Sequence, residues 1–310
     1  MVASLRDAEK PLPVLINREG GSAAAAGDKI KADVEAVFRD AGLSAQVELV
    51  EGAEVVAAVE RLRARTIVVG GGDGTLGAAA RALLDRPDTA LGILPLGTRN
   101  HFARELGIPQ DLAGAAEVLA KGRRRRVDIG AVNRHIFLNN ASIGFYPSLV
   151  QSREQEQARR ALPKWLANIP AAWAALRRLR HHRLRVEIDG DRNMVRTPLL
   201  FVGNNLYALD GGRIGARSAL DEGCLSIFAV ESQSRIGAMW FGLRAIAGRA
   251  DLDRDFSVAT TGARLSVHAH SGEITIALDG ELLRMTSPLH FEIKPHALQV
   301  VAPPDQSARD

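Results

Sequence analysis

The stretch Val68-Val69-Gly70-Gly71-Gly72-Asp73-Gly74-Thr75 constrains this chain more than any other. The run from Thr66 to Val69 lacks alternation and so reads as a strand covered on both faces; it stops at glycines, and Leu76 to Leu84 then carries helical spacing. A buried strand that opens through glycine into a helix is the building unit of a parallel sheet with crossover helices. The alternation recurs on either side. Val14 to Asn17 is a short apolar run leading into a Gly-rich turn and a helical stretch to Ala41, with Ile30, Val34, Val37 and Phe38 on one face. Ala45 to Val50 alternates as a strand, Val55 to Leu62 as a helix, and Leu91 to Leu94 reads as another buried strand.

Beyond about Ala131 the texture changes. Short strand-like segments (Ile136–Asn139, Leu184–Ile188, Leu199–Val202, Leu225–Val230, Arg264–Ala269, Glu273–Leu278 and Leu289–Ile293) are separated by turn residues such as Asp189-Gly190-Asp191. This predicts a mostly antiparallel, β-sandwich-like second domain. A chain of 310 residues fits two domains at ~150 each. The expected division is an α/β domain over residues 1–126 and a β-rich domain over 127–310, with the final residues returning to the first domain. The basic run Lys121 to Arg126 is read as a solvated junction between them. Residues 152–185 form an Arg-rich insertion of helical composition that holds Trp165 and Trp173. Two readings stand for it, an amphipathic element for a lipid interface or a helical excursion packed on the β domain, because Pro163 and Pro170 interrupt any single long helix.

Composition narrows the function classes. The net charge is +4, and only six of the 40 basic residues are lysine, so arginine, with its phosphate-matching fork, carries the positive charge. No nucleic-acid-binding module accompanies that surplus, and nucleic acid is not an expected partner. The lone Cys224 excludes an internal disulfide and suits a reducing cytoplasm. The N-terminus lacks the basic head and apolar core of a signal peptide, and no run reaches the ~18 apolar residues of a spanning helix. Membrane contact, if any, is expected to be peripheral.

Three clusters carry chemistry. In Gly71-Gly72-Asp73-Gly74-Thr75, glycines allow the backbone to approach a ligand and the unpaired amides of a helix start favour an anion, so phosphate is the natural guest. Asp73 beside phosphate is repulsive unless a divalent cation or a hydroxyl proton lies between, which makes it a candidate for positioning Mg²⁺ or the attacking hydroxyl. The second cluster, Pro95-Leu96-Gly97-Thr98-Arg99-Asn100-His101-Phe102-Ala103-Arg104, also follows a strand and so opens at the same carboxyl edge. There Thr98 can bond a phosphate and Asn100 can hold a loop or a substrate. The third, Asp279-Gly280-Glu281, follows the strand Ile274–Leu278 and reads either as a hairpin turn or as a carboxylate placed to accept a proton from an alcohol. Neither a P-loop nor a Gly-x-Gly-x-x-Gly fingerprint is present.

In this order and spacing the clusters resemble the diacylglycerol kinase catalytic-domain family, specifically its bacterial soluble lipid kinases. The resemblance covers nearly the whole chain, from Asn17, Gly20 and Gly21 in the first loop to Asp279-Gly280-Glu281. It implies an α/β nucleotide domain like those of NAD kinases and phosphofructokinases, a β-sandwich-like second domain and a cleft between them. It further implies ATP against Asn17, Gly20, Gly21, Gly71, Gly72, Asp73, Gly74 and Thr75, with Thr98 and Asn100 nearby. Asp279 or Glu281 would be the base, Asp73 would organise metal and phosphate, and a lipid alcohol, foremost diacylglycerol, would be drawn from an anionic membrane surface. The segment Ala219-Leu220-Asp221-Glu222-Gly223-Cys224 resembles the family's structural Mg²⁺ loop, which implies Ala219, Asp221, Glu222 and Cys224 as metal residues.

The chain departs from the family pattern in four places. Arg18 stands where the family has proline after Asn17, His101 replaces an aspartate, Gly77-Ala78 stands near the usual Asn-Glu, and Glu222 takes the place of an aspartate. Two other readings are kept: an NAD kinase-like enzyme, which shares the Gly-Gly-Asp-Gly turn, and a non-catalytic nucleotide or lipid sensor.

Overall fold

The computed structural model describes residues 11–144, 182–207, 217, 219–230 and 256–304. These divide into two compact units, one of residues 11–129 with 295–304 and one of residues 130–294.

In the first unit β1 (Leu12–Asn17), β2 (Ala45–Val50), β3 (Thr66–Gly71), β4 (Ala90–Pro95) and the last part of β16 (Leu289–Ala302) form a sheet in the order β2-β1-β3-β4-β16. The pairs β1–β2, β1–β3, β3–β4 and β4–β16 are all parallel. Every residue of β3 and β4 is buried, as the unbroken apolar runs require of strands covered on both faces. The connections are helical: α1 (Gly21–Ala26), α2 (Lys29–Asp40), α3 (Val55–Arg61), α4 (Asp73–Leu83), α5 (His101–Glu105) and α6 (Leu112–Lys121). The helices bury one stripe each, Ile30, Val34 and Phe38 from α2 and Leu76, Ala79, Ala80 and Leu83 from α4. Gly27, at φ +59°, splits into two the helical stretch that runs to Ala41.

The chain leaves the first unit within β5 (Arg123–Val132) and returns within β16. Arg123 to Arg126 are therefore strand residues, largely exposed, just before the point where the chain passes from one unit to the other. Arg124 donates to the carbonyl oxygens of Arg65 and Asp88 and to Thr66 Oγ1, so it ties the start of β5 to the parallel sheet.

The second unit holds two layers. One is the antiparallel sheet β12-β11-β10-β7-β14-β15, built from β7 (Asn140–Gly144), β10 (Leu199–Asn204), β11 (Leu225–Val230), β12 (Phe256–Gly262), β14 (Glu273–Leu278) and β15 (Glu281–Thr286). The other runs from the first part of β16 through β13 (Arg264–Ala269) and β8 (His182–Ile188) to β9 (Asp191–Thr197). The short β6 (His135–Phe137) pairs with the end of β5. Inward residues of both layers share one core, with Ile143, Val202, Ile227 and Ile276 from one and Leu184, Val186, Val267 and Phe291 from the other. Phe137 meets Phe291 edge to face at 6.4 Å, and a side chain at Gly130 would collide with the Phe137 ring. The end of the helical insertion is corrected, because His182 to Arg185 belong to β8. The rest of that insertion lies outside the described residues.

Candidate functional site

The carboxyl edge of the parallel sheet brings three loops into backbone contact. A Cβ on Gly21 would lie 2.0 Å from the Leu96 carbonyl oxygen, and one on Gly97 would lie 2.3 Å from the Gly72 Cα. Glycine is what lets these loops pack main chain on main chain. Ser22 donates to the Leu96 carbonyl through both its N–H and its hydroxyl, which joins the loop after β1 to the loop after β4. Asn17, at the end of β1, donates from Nδ2 to Thr75 Oγ1 at 2.9 Å, which joins β1 to the first turn of α4.

The 11-residue helix α4 begins at Asp73 with Gly72 as its N-cap, and no side chain caps it. Its first-turn N–H groups thus lack helical partners and present a local positive potential at the sheet edge. The Asp73 carboxylate turns away from its own helix start. Oδ2 accepts the His101 N–H at 3.1 Å and Oδ1 the Phe102 N–H at 3.0 Å, so Asp73 clasps the N-terminus of α5 to that of α4. The His101 side chain itself is exposed.

Asn100 shapes the second loop from within. It is 5% exposed, sits in the left-handed region at φ +52°, and donates from Nδ2 to the Pro95 and Gly97 carbonyls and to Gln110 Oε1. It is a loop-holding residue. Thr98 is exposed on the same loop. Of the residues expected to hold a nucleotide, Asn17, Gly21, Gly71, Gly72, Asp73 and Thr75 are thus bound to one another or to Leu96–Phe102 through these contacts, and Gly20 lies beside Asn17.

In the second unit, Asp279 and Gly280 form the two-residue turn between β14 and β15, with φ of +48° and +95°. Positive φ at both positions is what a type I′ hairpin requires, and Asp-Gly supplies it. The Asp279 carboxylate folds inward and accepts three backbone N–H groups, Leu138 at 2.7 Å, Asn139 at 2.8 Å and Asn140 at 3.0 Å. Burial pushes its pKa up to about 6, against the opposing pull of those N–H groups and of the Arg217 cation. Glu281 lies two residues on, exposed at the start of β15.

Arg217 holds the same loop from its acceptor side. It donates to the Leu138 and Asn204 carbonyls at 2.7 and 3.0 Å and to Asn139 Oδ1 at 2.9 Å, and its guanidinium lies 5.7 Å from the Tyr207 ring centroid. The Tyr207 hydroxyl donates to the Asn139 carbonyl. Neither Arg217 nor these asparagines were singled out from sequence. The available signal was the pair of doublets Asn139-Asn140 and Asn204-Asn205, polar residues at apolar strand ends, of which Asn139, Asn204 and Asn205 are buried.

The residues proposed for a structural metal lie next to this network. The Glu222 N–H donates to Asn205 Oδ1, and Glu222 Oε2 accepts the Leu206 N–H at 3.0 Å. Ala219, Asp221 and Cys224 are on the same loop. Among the described residues no group of three His, Cys, Asp or Glu side chains is positioned to hold a cation. The loop offers two carboxylates, Asp221 and Glu222, the second already accepting a backbone N–H, so a hard cation here would need main-chain carbonyl oxygens beside them.

With this geometry in place, comparison with known families is decisive. Residues 11–132 match the diacylglycerol kinase catalytic domain, and residues 148–302 match the YegS C-terminal NAD kinase beta sandwich-like domain. The chain belongs to the YegS/diacylglycerol kinase family. Its relatives include proteins named "Probable lipid kinase YegS" from Salmonella gallinarum, 28% identical over 87% of this chain and 90% of that one, and "Probable lipid kinase YegS-like" from Klebsiella pneumoniae, with the same identity and coverage. A solved diacylglycerol kinase structure from Bacillus anthracis str. Sterne shares the fold with a TM-score of 0.67 at 19% identity, covering 95% of this chain and 97% of that one. Membership gives the chain a lipid-kinase-like fold and the general class of phosphotransferase.

Proposed function

We propose that the chain is an ATP-dependent lipid kinase that transfers the γ-phosphoryl group to a lipid hydroxyl, with diacylglycerol, giving phosphatidate, as the foremost substrate. The observation that carries this reading is the close main-chain contact of three glycine loops beside the uncapped N-terminus of α4, whose first-turn backbone amides suit nucleotide phosphates. The Asn17–Thr75 bond and the Asp73 clasp hold that arrangement before any ligand arrives, so little reorganisation is needed when charge develops. Each Asp73 oxygen accepts one N–H and keeps a second lone pair, so Asp73 is the carboxylate of the first unit suited to meet the Mg²⁺ that accompanies the nucleotide. That ion would offset charge on the phosphates.

In the second unit, Asp279 is the group suited to orient the attacking alcohol and take its proton. The substrate hydroxyl belongs to a membrane lipid. Among the described residues no helix is long and apolar enough to cross a membrane. The lone cysteine and the arginine-weighted charge support a cytoplasmic enzyme that visits an anionic bilayer reversibly.

The test is phosphorylation of diacylglycerol, a sphingoid base, a total lipid extract and NAD in parallel with labelled ATP, with products identified by mass spectrometry. Phosphatidate is the expected product, and Asp73→Ala is expected to lower turnover by about 10²–10³-fold with an unchanged far-UV spectrum. Phosphorylated NAD with no lipid product, or calorimetric ATP binding with no product at all, would overturn the assignment.

A further inference from the structure

Side chains of the β16-β13-β8-β9 layer alternate between the core and the outside. Leu184, Val186 and Val195 are buried inward, whereas Arg183, Arg185, Met194 and Arg196 are exposed. Strand register places Arg183 directly opposite Arg196, and Arg185 between Met194 on one side and His268 on the other. Two cations facing each other across a strand pair weaken a sheet, and no carboxylate relieves them. Among the described residues the side chains of Arg183, Arg185 and Arg196 form no ion pair or hydrogen bond. The acids on this face, Glu187 and Glu292, are each bonded to another cation, Glu187 to Arg192 at 2.9 Å and Glu292 to Lys294 at 2.7 Å.

Next to the facing arginines is an open recess of about 320 Å³, lined by Arg183, Arg196, His182, His270 and Ser271 with Leu184 and Ala269. Met194, 72% exposed, projects beside Arg185 and is the most exposed large apolar side chain among the described residues. Unpaired guanidinium forks match phosphodiester oxygens, and an apolar side chain set among them suits the boundary between head groups and acyl chains.

We propose that this outer face of β8, β9 and β13 is the surface through which the protein docks on an anionic phospholipid bilayer, with a lipid phosphate seated between Arg183 and Arg196 and Met194 entering the interface. Its biological meaning rests on the lipid-kinase reading, but the binding itself needs no turnover.

The test is co-sedimentation, without nucleotide, on phosphatidylcholine vesicles with and without phosphatidylglycerol. Wild type is expected to bind only the anionic vesicles. Each lost arginine should weaken partition roughly fivefold, so Arg183→Ser/Arg196→Ser should lose roughly 25-fold. Arg183→Lys/Arg196→Lys should recover most of that loss, and Met194→Ser should weaken binding on its own. Lys29→Gln/Lys31→Gln, which removes the same charge from the exposed side of α2, should bind nearly as wild type. Equal losses for the two double variants would overturn the docking face, since net charge alone would then explain binding. So would inorganic phosphate or heparin binding that depends on the two arginines while vesicle binding does not. A wild type that binds anionic vesicles yet phosphorylates no lipid would overturn the kinase reading and leave this surface standing. A wild type that phosphorylates lipid in micelles, with the arginine variant binding vesicles normally, would do the reverse.

Discussion

Replacing Asp279 by Asn separates what its carboxylate does for the fold from what it does for chemistry. Two of its three bonds, to the Asn139 and Asn140 N–H groups, go to Oδ1, and the third, to Leu138, goes to Oδ2. The asparagine carbonyl can keep the first two, and its NH₂ then faces the Leu138 N–H, donor against donor, at a cost of about 1–3 kcal/mol. In the opposite direction, the variant no longer ionises in a buried site. Because the native carboxyl is raised from 3.8 to about 6, the folded state holds this proton more tightly than the unfolded chain. The wild-type protein therefore loses stability as pH rises through that window. Integrating between those limits gives a wild-type loss of about 2 kcal/mol from pH 4.5 to pH 7.5 that the asparagine variant does not share. Urea unfolding followed by circular dichroism at both pH values should show the variant clearly less stable at pH 4.5 and near wild type at pH 7.5. Turnover should nevertheless fall by about 10²–10⁴-fold at neutral pH, since the proton acceptor is gone. A stability gap that does not change with pH would refute the burial argument, and turnover within tenfold of wild type would refute the assignment of Asp279 as base.

Two further outcomes follow from the same geometry. Arg217→Gln removes a cation that holds the Asp279 carboxyl down, so the acidic limb of the kcat/KM profile should move to higher pH, whereas a purely structural role would lower the profile without moving it. Gly97→Ala places a Cβ 2.3 Å from the Gly72 Cα and must push the two loops apart, so calorimetric ATP affinity should fall at least about tenfold, roughly 1.4 kcal/mol; unchanged affinity would show that the nucleotide binds elsewhere.

Much of this arrangement was legible in the sequence where one physical rule acted alone. The apolar runs of β3 and β4 are covered on both faces, and their lack of alternation reports that directly. Elements are hidden in the sequence where polar residues continue a strand. Only Val195 and Thr197 of β9 are buried, too few to register as alternation. β16 runs to Ala302 although its apolar pattern breaks at Lys294-Pro295-His296. His296 takes a left-handed φ of +52° there, and the Asp128 carboxylate accepts its N–H at 2.7 Å. α4 starts three residues before its first buried leucine because its opening turn is Asp-Gly-Thr, which serves the sheet edge and not the core.

The Asp-Gly turns show where sequence reasoning stops and burial takes over. Asp189-Gly190 and Asp279-Gly280 are both two-residue hairpin turns with positive φ at both positions, and both aspartates accept backbone N–H groups from a neighbouring loop. Asp189 is exposed, and it fixes Ala263 and Arg264 at a strand end. The Asp279 carboxylate lies inward, raised to about 6 by desolvation and flanked by Arg217. The local motif is the same, so it cannot by itself mark a base; the buried asparagine and arginine network around Leu138–Asn140 is what distinguishes the second turn. On the proposed lipid-kinase reading, the same comparison favours Asp279 over Glu281 as the base. Glu281 stands exposed on β15, where among the described residues no bond orients its carboxylate. Asp279 is oriented by three N–H groups, and burial pushes its pKa up to about 6, toward the range in which a carboxylate can take a proton from an alcohol and later release it.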